Sequence, residues 1–266
     1  MYAFEYLRAG SLAEAGELLA KNPEAKILAG GQTFIPTLKA RLAQPSHVVD
    51  LGGIAELTGI SVAGGALTIG ALTRHVEVAK SAEVKKAIPA LAALALEIGD
   101  QQVRNRGTLG GSVANNDPAA DYPSAVLGLN ATVITNKREI AADDYFQGMF
   151  ATALEEGEII KAIRFPIPKR AAYSKFHHPA SGYAMAGAFV ADTGSGVRVA
   201  ITGAGGSGVF RWSEAEAALA KNFSAQALAG LKVDDRICIT DLHAGADYRA
   251  HLAAVMTRRA VQKITG

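Results

Sequence analysis

The chain has 266 residues, of which 49% are hydrophobic and 20% charged, enough to bury a sizeable core as one large domain or two smaller ones. Its net charge is only +2, and the 27 basic and 25 acidic residues are interspersed, which excludes the basic stripe of a nucleic-acid binder. The N-terminus lacks the pattern of an export signal, the longest apolar run (residues 87–96) is too short to span a bilayer, and the single Cys238 permits neither an internal disulfide nor a cysteine-rich metal site, so a cytoplasmic protein is expected.

Residues 11–21 (SLAEAGELLAK) carry apolar side chains at 12, 15, 18 and 19, the stripe of an amphipathic helix capped by Ser11 with Glu14 three residues on. A strand is predicted over residues 25–28, running into Ala29-Gly30-Gly31-Gln32; FIPTLKARLA then returns to helical spacing and HVVDL (47–51) predicts a second strand. The first 55 residues thus read as a β-turn-helix-β unit. GISV, a Gly64-Gly65 turn and ALTIGALT predict a hairpin, Thr73 a cap for the helix RHVEVAKS, and residues 88–98 a buried helix ended by Gly99. Residues 101–121, QQVRNRGTLGGSVANNDPAAD, read as a polar, glycine-rich loop. Beyond them come a helix over SAVLGLNA, a strand ATVITN, a turn at Asn136-Lys137, a strand REIAA, and EIIKAIRFPIP as an edge strand closed by prolines. From Ala171 three strands (SKFHH, YAMAGAFVAD, GVRVAITGAG) precede helical stretches at 213–221, 224–230 and 247–264, which predicts a separate α+β unit beginning near Lys169-Arg170.

Several motifs invite chemistry. GAGGSG (203–208) formally matches G-x-G-x-x-G, but VFRW intervenes before a helix that Ser213 and Glu216 are expected to open as a capping box, so the reading is a plain strand-end turn. Ala29-Gly30-Gly31-Gln32-Thr33 sits directly between a strand and a helix, where glycine lets backbone N–H groups approach an anion; taken alone it is equally an ordinary tight turn. A second double glycine, Thr108-Leu109-Gly110-Gly111-Ser112, is followed by Asn115 and Asp121. Two such loops can clamp one diphosphate from two sides, with a carboxylate receiving sugar or ribityl hydroxyls; packing of the loop within its own domain is the other reading. His177 and His178 are adjacent on a predicted strand and point to opposite faces, which favours a structural or surface role. No spacing supports a metal site, a nucleophile with its base, or a nucleoside-triphosphate loop.

AGGQTFIPTLKARLAQPSHVVDL and QVRNRGTLGGSVANNDPAAD resemble the two FAD motifs of the FAD-binding medium subunit of molybdenum hydroxylases, the carbon monoxide dehydrogenase, aldehyde oxidoreductase and xanthine dehydrogenase family. LTIGALTRHVEVAKS, GEIIKAIRFPIP and HPASGYAMAGAFVA through GAGGSGVFR resemble further segments of that family in the expected order, so the resemblance covers nearly the whole chain. It implies an α+β protein with an FAD-binding fold of the vanillyl-alcohol oxidase type: an α/β subdomain at 1–54, an α+β subdomain at 55–169, and a C-terminal antiparallel sheet with helices at 170–266.

Carried over residue by residue, the resemblance implies that the backbone of Ala29, Gly30, Gly31, Gln32 and Thr33 and of Thr108, Gly110, Gly111 and Ser112 holds the FAD diphosphate, with Asn115 assisting. Asp121 would bind hydroxyls of the FAD chain, Ile160 would touch the adenine and Tyr183 would lie beside the isoalloxazine. Many members carry histidine where this chain has Gln32 and serine where it has Thr33. Arg104 and Arg106 fit either of two roles, offsetting phosphate charge or bracing the loop. The implied function is electron transfer within a molybdenum hydroxylase, with this chain carrying FAD and no catalytic side chain. A small [2Fe–2S] subunit and a large molybdenum-cofactor subunit are the expected partners, as a dimer of heterotrimers, with quinone, NAD or oxygen as final acceptor. The alternatives are a self-sufficient flavin oxidase or reductase of the same fold and a non-catalytic FAD-carrying assembly factor.

Overall fold

Parallel strands require crossovers, and the first 50 residues supply two. In the computed structural model, which describes all 266 residues, β1 (Glu5–Arg8), α1 (Leu12–Lys21), β2 (Lys26–Leu28), α2 (Phe34–Lys39) and β3 (His47–Asp50) form a parallel sheet in the order β1-β3-β2. The unit therefore has one strand more than the expected β-turn-helix-β, because β1 is short, exposed on both faces and without apolar alternation. α1 starts as its sequence dictates: Ser11 Oγ accepts the Glu14 N–H at 3.1 Å while the Glu14 carboxylate accepts the Gly10 N–H at 2.7 Å.

The next unit is antiparallel. β4 (Ile60–Ala63) and β5 (Ala66–Gly70) form the Gly64-Gly65 hairpin, and α3 (His75–Lys80), α4 (Ala82–Ala87) and α5 (Pro89–Leu96) follow. α6 (Gln101–Arg104), α7 (Leu109–Asn115) and α8 (Tyr122–Gly128) lead to β6 (Thr132–Thr135), β7 (Glu139–Ala141), α9 (Ala142–Tyr145), β8 (Phe146–Gly148), β9 (Ala151–Thr152) and β10 (Ile160–Pro166). The sheet order is β4-β5-β10-β6-β7.

Three expectations are corrected here. β10 is the central strand, not an edge: Pro166 falls on its last paired residue, so the ladder loses no interior donor. Thr73 does not cap α3; its hydroxyl bonds the backbone of Gly59 at 3.2 Å and Arg74 is the cap residue. The polar stretch 101–121 is not a loop throughout, because Asp100 caps α6 through the Val103 N–H, Thr108 caps α7 through the Gly111 N–H, and burial of Leu109 and Val113 anchors α7.

β11 (Arg170–His177), β12 (Ala184–Asp192), β13 (Val197–Thr202) and β14 (Phe210–Arg211) make an antiparallel meander, followed by α10 (Ser213–Lys221) and the long α11 (Ala246–Thr265). Residues 203–208 are a turn between β13 and β14. The expected Ser213/Glu216 capping box does not form: Trp212 is the cap residue, and Glu216 is committed to the Val199 N–H at 3.0 Å and the Arg211 guanidinium at 2.6 Å. Alternation along β12 sends Phe189 and Ala191 into the core shared with α5, α8 and β10, and Ala188 and Val190 into the core under α10 and α11. No helix is long and apolar enough to cross a membrane.

Candidate cofactor site

A cavity of about 640 Å³ opens where the parallel sheet meets the helices of the antiparallel unit, within the size range of ligand sites. All thirteen residues singled out above line it: Ala29, Gly30, Gly31, Gln32 and Thr33; Thr108, Gly110, Gly111, Ser112 and Asn115; and Asp121, Ile160 and Tyr183.

The first glycine turn joins β2 to α2. Gly31 has φ +73°, a conformation that favours glycine, and it turns the chain so that the backbone N–H groups of Gly30, Gly31, Gln32, Thr33 and Phe34 donate to no acceptor within the chain. Five successive unspent donors, all on residues that line the cavity, can serve an anion's oxygens. The second turn differs. Thr108 caps α7, and the following N–H groups are already used: Leu109 on the Thr73 carbonyl at 3.0 Å, Gly110 on the Ala71 carbonyl at 2.8 Å, Gly111 on Thr108 Oγ1 at 3.2 Å and Ser112 on the Thr108 carbonyl at 3.0 Å. The two loops are thus not equivalent: one keeps its donors free, and the other has spent them within the chain.

The turns also touch each other. A Cβ on Gly30 would stand 2.2 Å from the Arg106 carbonyl oxygen and 2.8 Å from Gly107 Cα, and one on Gly111 would face Ala29 Cβ at 3.7 Å. Gly107 in turn lies against His75, whose Nε2 would be 2.6 Å from an added Cβ. Burial, with the Arg104 charge nearby, lowers the His75 imidazole to about 4, so it is neutral. Its Nδ1 and the hydroxyl of the adjoining Tyr122, ring centroids 5.3 Å apart, are both buried without partners. Of the two arginines left open by the sequence, Arg104 braces the wall by donating to the Ile98 carbonyl at 2.6 Å, and Arg106 contributes its carbonyl to the contact with Gly30.

Asp121 sits buried at the start of α8. It accepts the Tyr173 hydroxyl at 2.5 Å and Lys175 Nζ at 3.0 Å, and Lys175 also donates to the Glu97 carbonyl at 3.0 Å. Burial pushes the Asp121 carboxyl upward against the pull of Lys175 and Tyr173. Both carboxylate oxygens are therefore engaged from inside the protein, each keeping a second lone pair for a ligand hydroxyl. Ile160 opens β10 as a buried apolar wall, and Tyr183, 49% exposed, stands just before β12 with its phenol pushed up by burial and by the Asp117 and Asp121 charges.

Sequence reasoning missed His75, Phe150 and Lys175. Phe150, 58% exposed with φ +56°, is set at the cavity by the β8–β9 turn, which Asn116 clamps through Nδ2 to the Gly148 and Ala151 carbonyls, each at 2.8 Å. Nothing local marked it. Tyr173 and Lys175 did carry a signal, since residues two apart on a strand share a face and a lysine beside a tyrosine there needs an acidic partner. No cluster of three or more histidine, cysteine or acidic residues could hold a metal ion. The arrangement suits an extended ligand with an anionic middle and hydroxyl and aromatic ends.

Residues 2–168 match the family described as the FAD binding domain in molybdopterin dehydrogenase. The chain is 35% identical to the carbon monoxide dehydrogenase medium chain of Hydrogenophaga pseudoflava, over 97% of this chain and 96% of that one. It is 36% identical to the nicotine 6-hydroxylase medium subunit of Paenarthrobacter nicotinovorans, over 97% and 96%. The structure of reconstituted CO dehydrogenase from Oligotropha carboxidovorans superposes with a TM-score of 0.90 at 34% identity, covering 99% of this chain and 98% of that one.

Proposed function

Since the chain belongs to the family of FAD-binding medium subunits of molybdenum hydroxylases, we propose that it is the electron-transfer subunit of such an oxidoreductase, placed between a [2Fe–2S] partner and an external acceptor. Quinone, NAD and oxygen are the acceptor classes this reading admits. Bound FAD supplies the redox chemistry. The observation that carries the reading is the row of five unspent N–H groups from Gly30 to Phe34, all on cavity-lining residues, in a turn packed so closely on Arg106 and Gly107 that Gly30 has no room for a side chain.

In this reading the chain's residues bind and orient and do not transfer protons. Gly30, Gly31, Gln32 and Thr33 donate to the diphosphate from one side; Gly110, Gly111 and Ser112 border it from the other, with Asn115 alongside. Asp121, fixed by Tyr173 and Lys175, receives hydroxyls of the FAD chain. Ile160 packs on the adenine, and neutral Tyr183 lies beside the isoalloxazine, where an aromatic face shapes the electronic surroundings. The substrate is oxidised in a large molybdenum-containing partner, the three chains assemble as a dimer of heterotrimers in the cytoplasm, and the chain divides at residues 54 and 169 into two FAD-binding parts and a C-terminal part. Relatives named for carbon monoxide and for nicotine have medium subunits similar to this chain, which fits a substrate chosen elsewhere in the complex.

The test is expression of the chain alone and, separately, purification from its source. The isolated chain should bind FAD and leave aldehydes and alcohols untouched, and the native preparation should bring molybdenum and iron with it. Turnover of such a substrate by the isolated yellow chain would overturn the reading.

A further inference from the structure

Residues 178–183 join β11 to β12 as a closed loop whose last member is Tyr183 on the cavity wall. The His178 N–H donates to the Tyr183 carbonyl at 2.7 Å and the Gly182 N–H to the His178 carbonyl at 2.9 Å. Inside this ring the N–H groups of Ala180 and Ser181 both donate to one atom, His178 Nδ1, at 3.3 and 3.2 Å, and Ser181 Oγ accepts the Tyr183 N–H at 3.3 Å. An imidazole nitrogen that accepts carries no proton, so these two bonds require His178 with its single ring proton on Nε2.

The geometry points to His178 as a positioning residue for Tyr183: its unprotonated Nδ1 gathers the Ala180 and Ser181 N–H groups inside the loop that sets the phenol ring at the cavity, and a proton taken up there from solvent removes both bonds and loosens the loop. This rests on the FAD reading above. A proton on Nδ1 turns the acceptor of two N–H groups into a donor facing them, so both bonds are lost together.

The surrounding charges do not restore the balance. The His243 ring meets His178 edge-on, centroids 4.3 Å apart, and Asp241 beside it is committed to Arg249 at 2.6 Å and to the His243 and Ala244 N–H groups. On the same strand His177 faces Glu97 at 3.5 Å. The segment before α6, packed on Ser181 through Gly99, carries Asp100, which caps Val103. Asp117 and Asp121 act on Tyr183 itself. His178 has no ion-pair partner among these.

The experiment follows flavin fluorescence and absorbance of the full chain loaded with FAD across the pH range in which imidazoles titrate, about 5 to 8. A tyrosine against the flavin quenches its emission, so fluorescence should rise in one step as pH falls. His178→Asn, whose amide oxygen accepts the same N–H groups at every pH, should lose the step and keep the high-pH signal. His243→Asn should keep the step, and Tyr183→Ala should abolish it. A flat profile in the unmodified chain, a step that survives His178→Asn, or one that disappears with His243→Asn overturns the proposal. A chain that takes up no FAD refutes the FAD reading and this role together, whereas uptake with a flat profile refutes this role alone.

Discussion

Replacing Gly30 by alanine probes the contact between the two glycine turns directly. The new Cβ would stand 2.2 Å from the Arg106 carbonyl oxygen, 2.8 Å from Gly107 Cα and 2.9 Å from the Arg106 carbonyl carbon, where real Cβ contacts stay beyond 3.0 Å. All three obstacles are backbone, so no rotamer change relieves them, and the turns must part by about 0.8 Å. Overpacking of this kind costs about 1–3 kcal/mol. If the full cost falls on the form that binds FAD, the dissociation constant rises about 5- to 150-fold. The assay is titration of the flavin-free chain with FAD, read by fluorescence quenching. Gly111→Ala is the internal comparison: its nearest obstacle is the Thr108 hydroxyl at 2.8 Å, which can rotate away at the cost of one capping bond, so the loss should be smaller. Gly16→Ala, in α1 with nothing within 4 Å of the new Cβ, should leave binding unchanged and raise stability by about 0.5–1 kcal/mol. Binding by Gly30→Ala within about twofold of the unmodified chain would refute the reasoning.

Gly107→Ala should weaken FAD binding through the His75 ring 2.6 Å away, and adding His75→Ala should recover part of the loss, with a coupling of about 0.5–3 kcal/mol in a double-mutant cycle; simple additivity would show that the two do not press on each other. Lys175→Met leaves Asp121 buried without its cation and should lower stability to denaturant by about 3–5 kcal/mol, and adding Asp121→Asn should recover part of this; a loss below about 1 kcal/mol counts against the buried pair. Glu158 is held at about 2, against its own burial, by Arg138, the Glu155 N–H and the Thr135 hydroxyl. Its folded value lies below the ordinary 4.5, so its contribution is complete above that pH and is lost as pH falls toward 2. Melting curves of the chain and of Glu158→Gln should therefore differ at neutral pH and converge in acid; a constant difference would contradict the assignment.

Elements with strong periodicity or an obligatory turn were legible in the sequence. α1 carries its stripe and cap, the Gly64-Gly65 pair sits between two β-rich runs, and β11 to β13 are strand-forming runs of eight, nine and six residues, β12 apolar almost throughout. Failures came where local pattern is silent about pairing. β1 has four residues and no buried position, α6 and α7 are held by single caps and two apolar contacts, and the central place of β10 depends on which strands come to flank it. The glycine turns were conspicuous because close backbone approach leaves only one residue type free of clash. The division of labour between them was not, since whether an N–H is spent depends on Ala71 and Thr73, far away along the chain. His75, Phe150 and Lys175 reach the cavity region from separate elements and share no motif.

β12 bears on how this protein can be shortened or recombined. The family match ends at residue 168, yet Tyr173, Phe189, Ala191 and Ala200 fill the same core as α5, α8 and β10, and Tyr173 and Lys175 hold Asp121 from behind. A gene trimmed to the matched segment would encode a container missing one wall. Its final strands are a shared partition, and exchange between relatives at that point swaps the back of the flavin chamber as well as the appended layer.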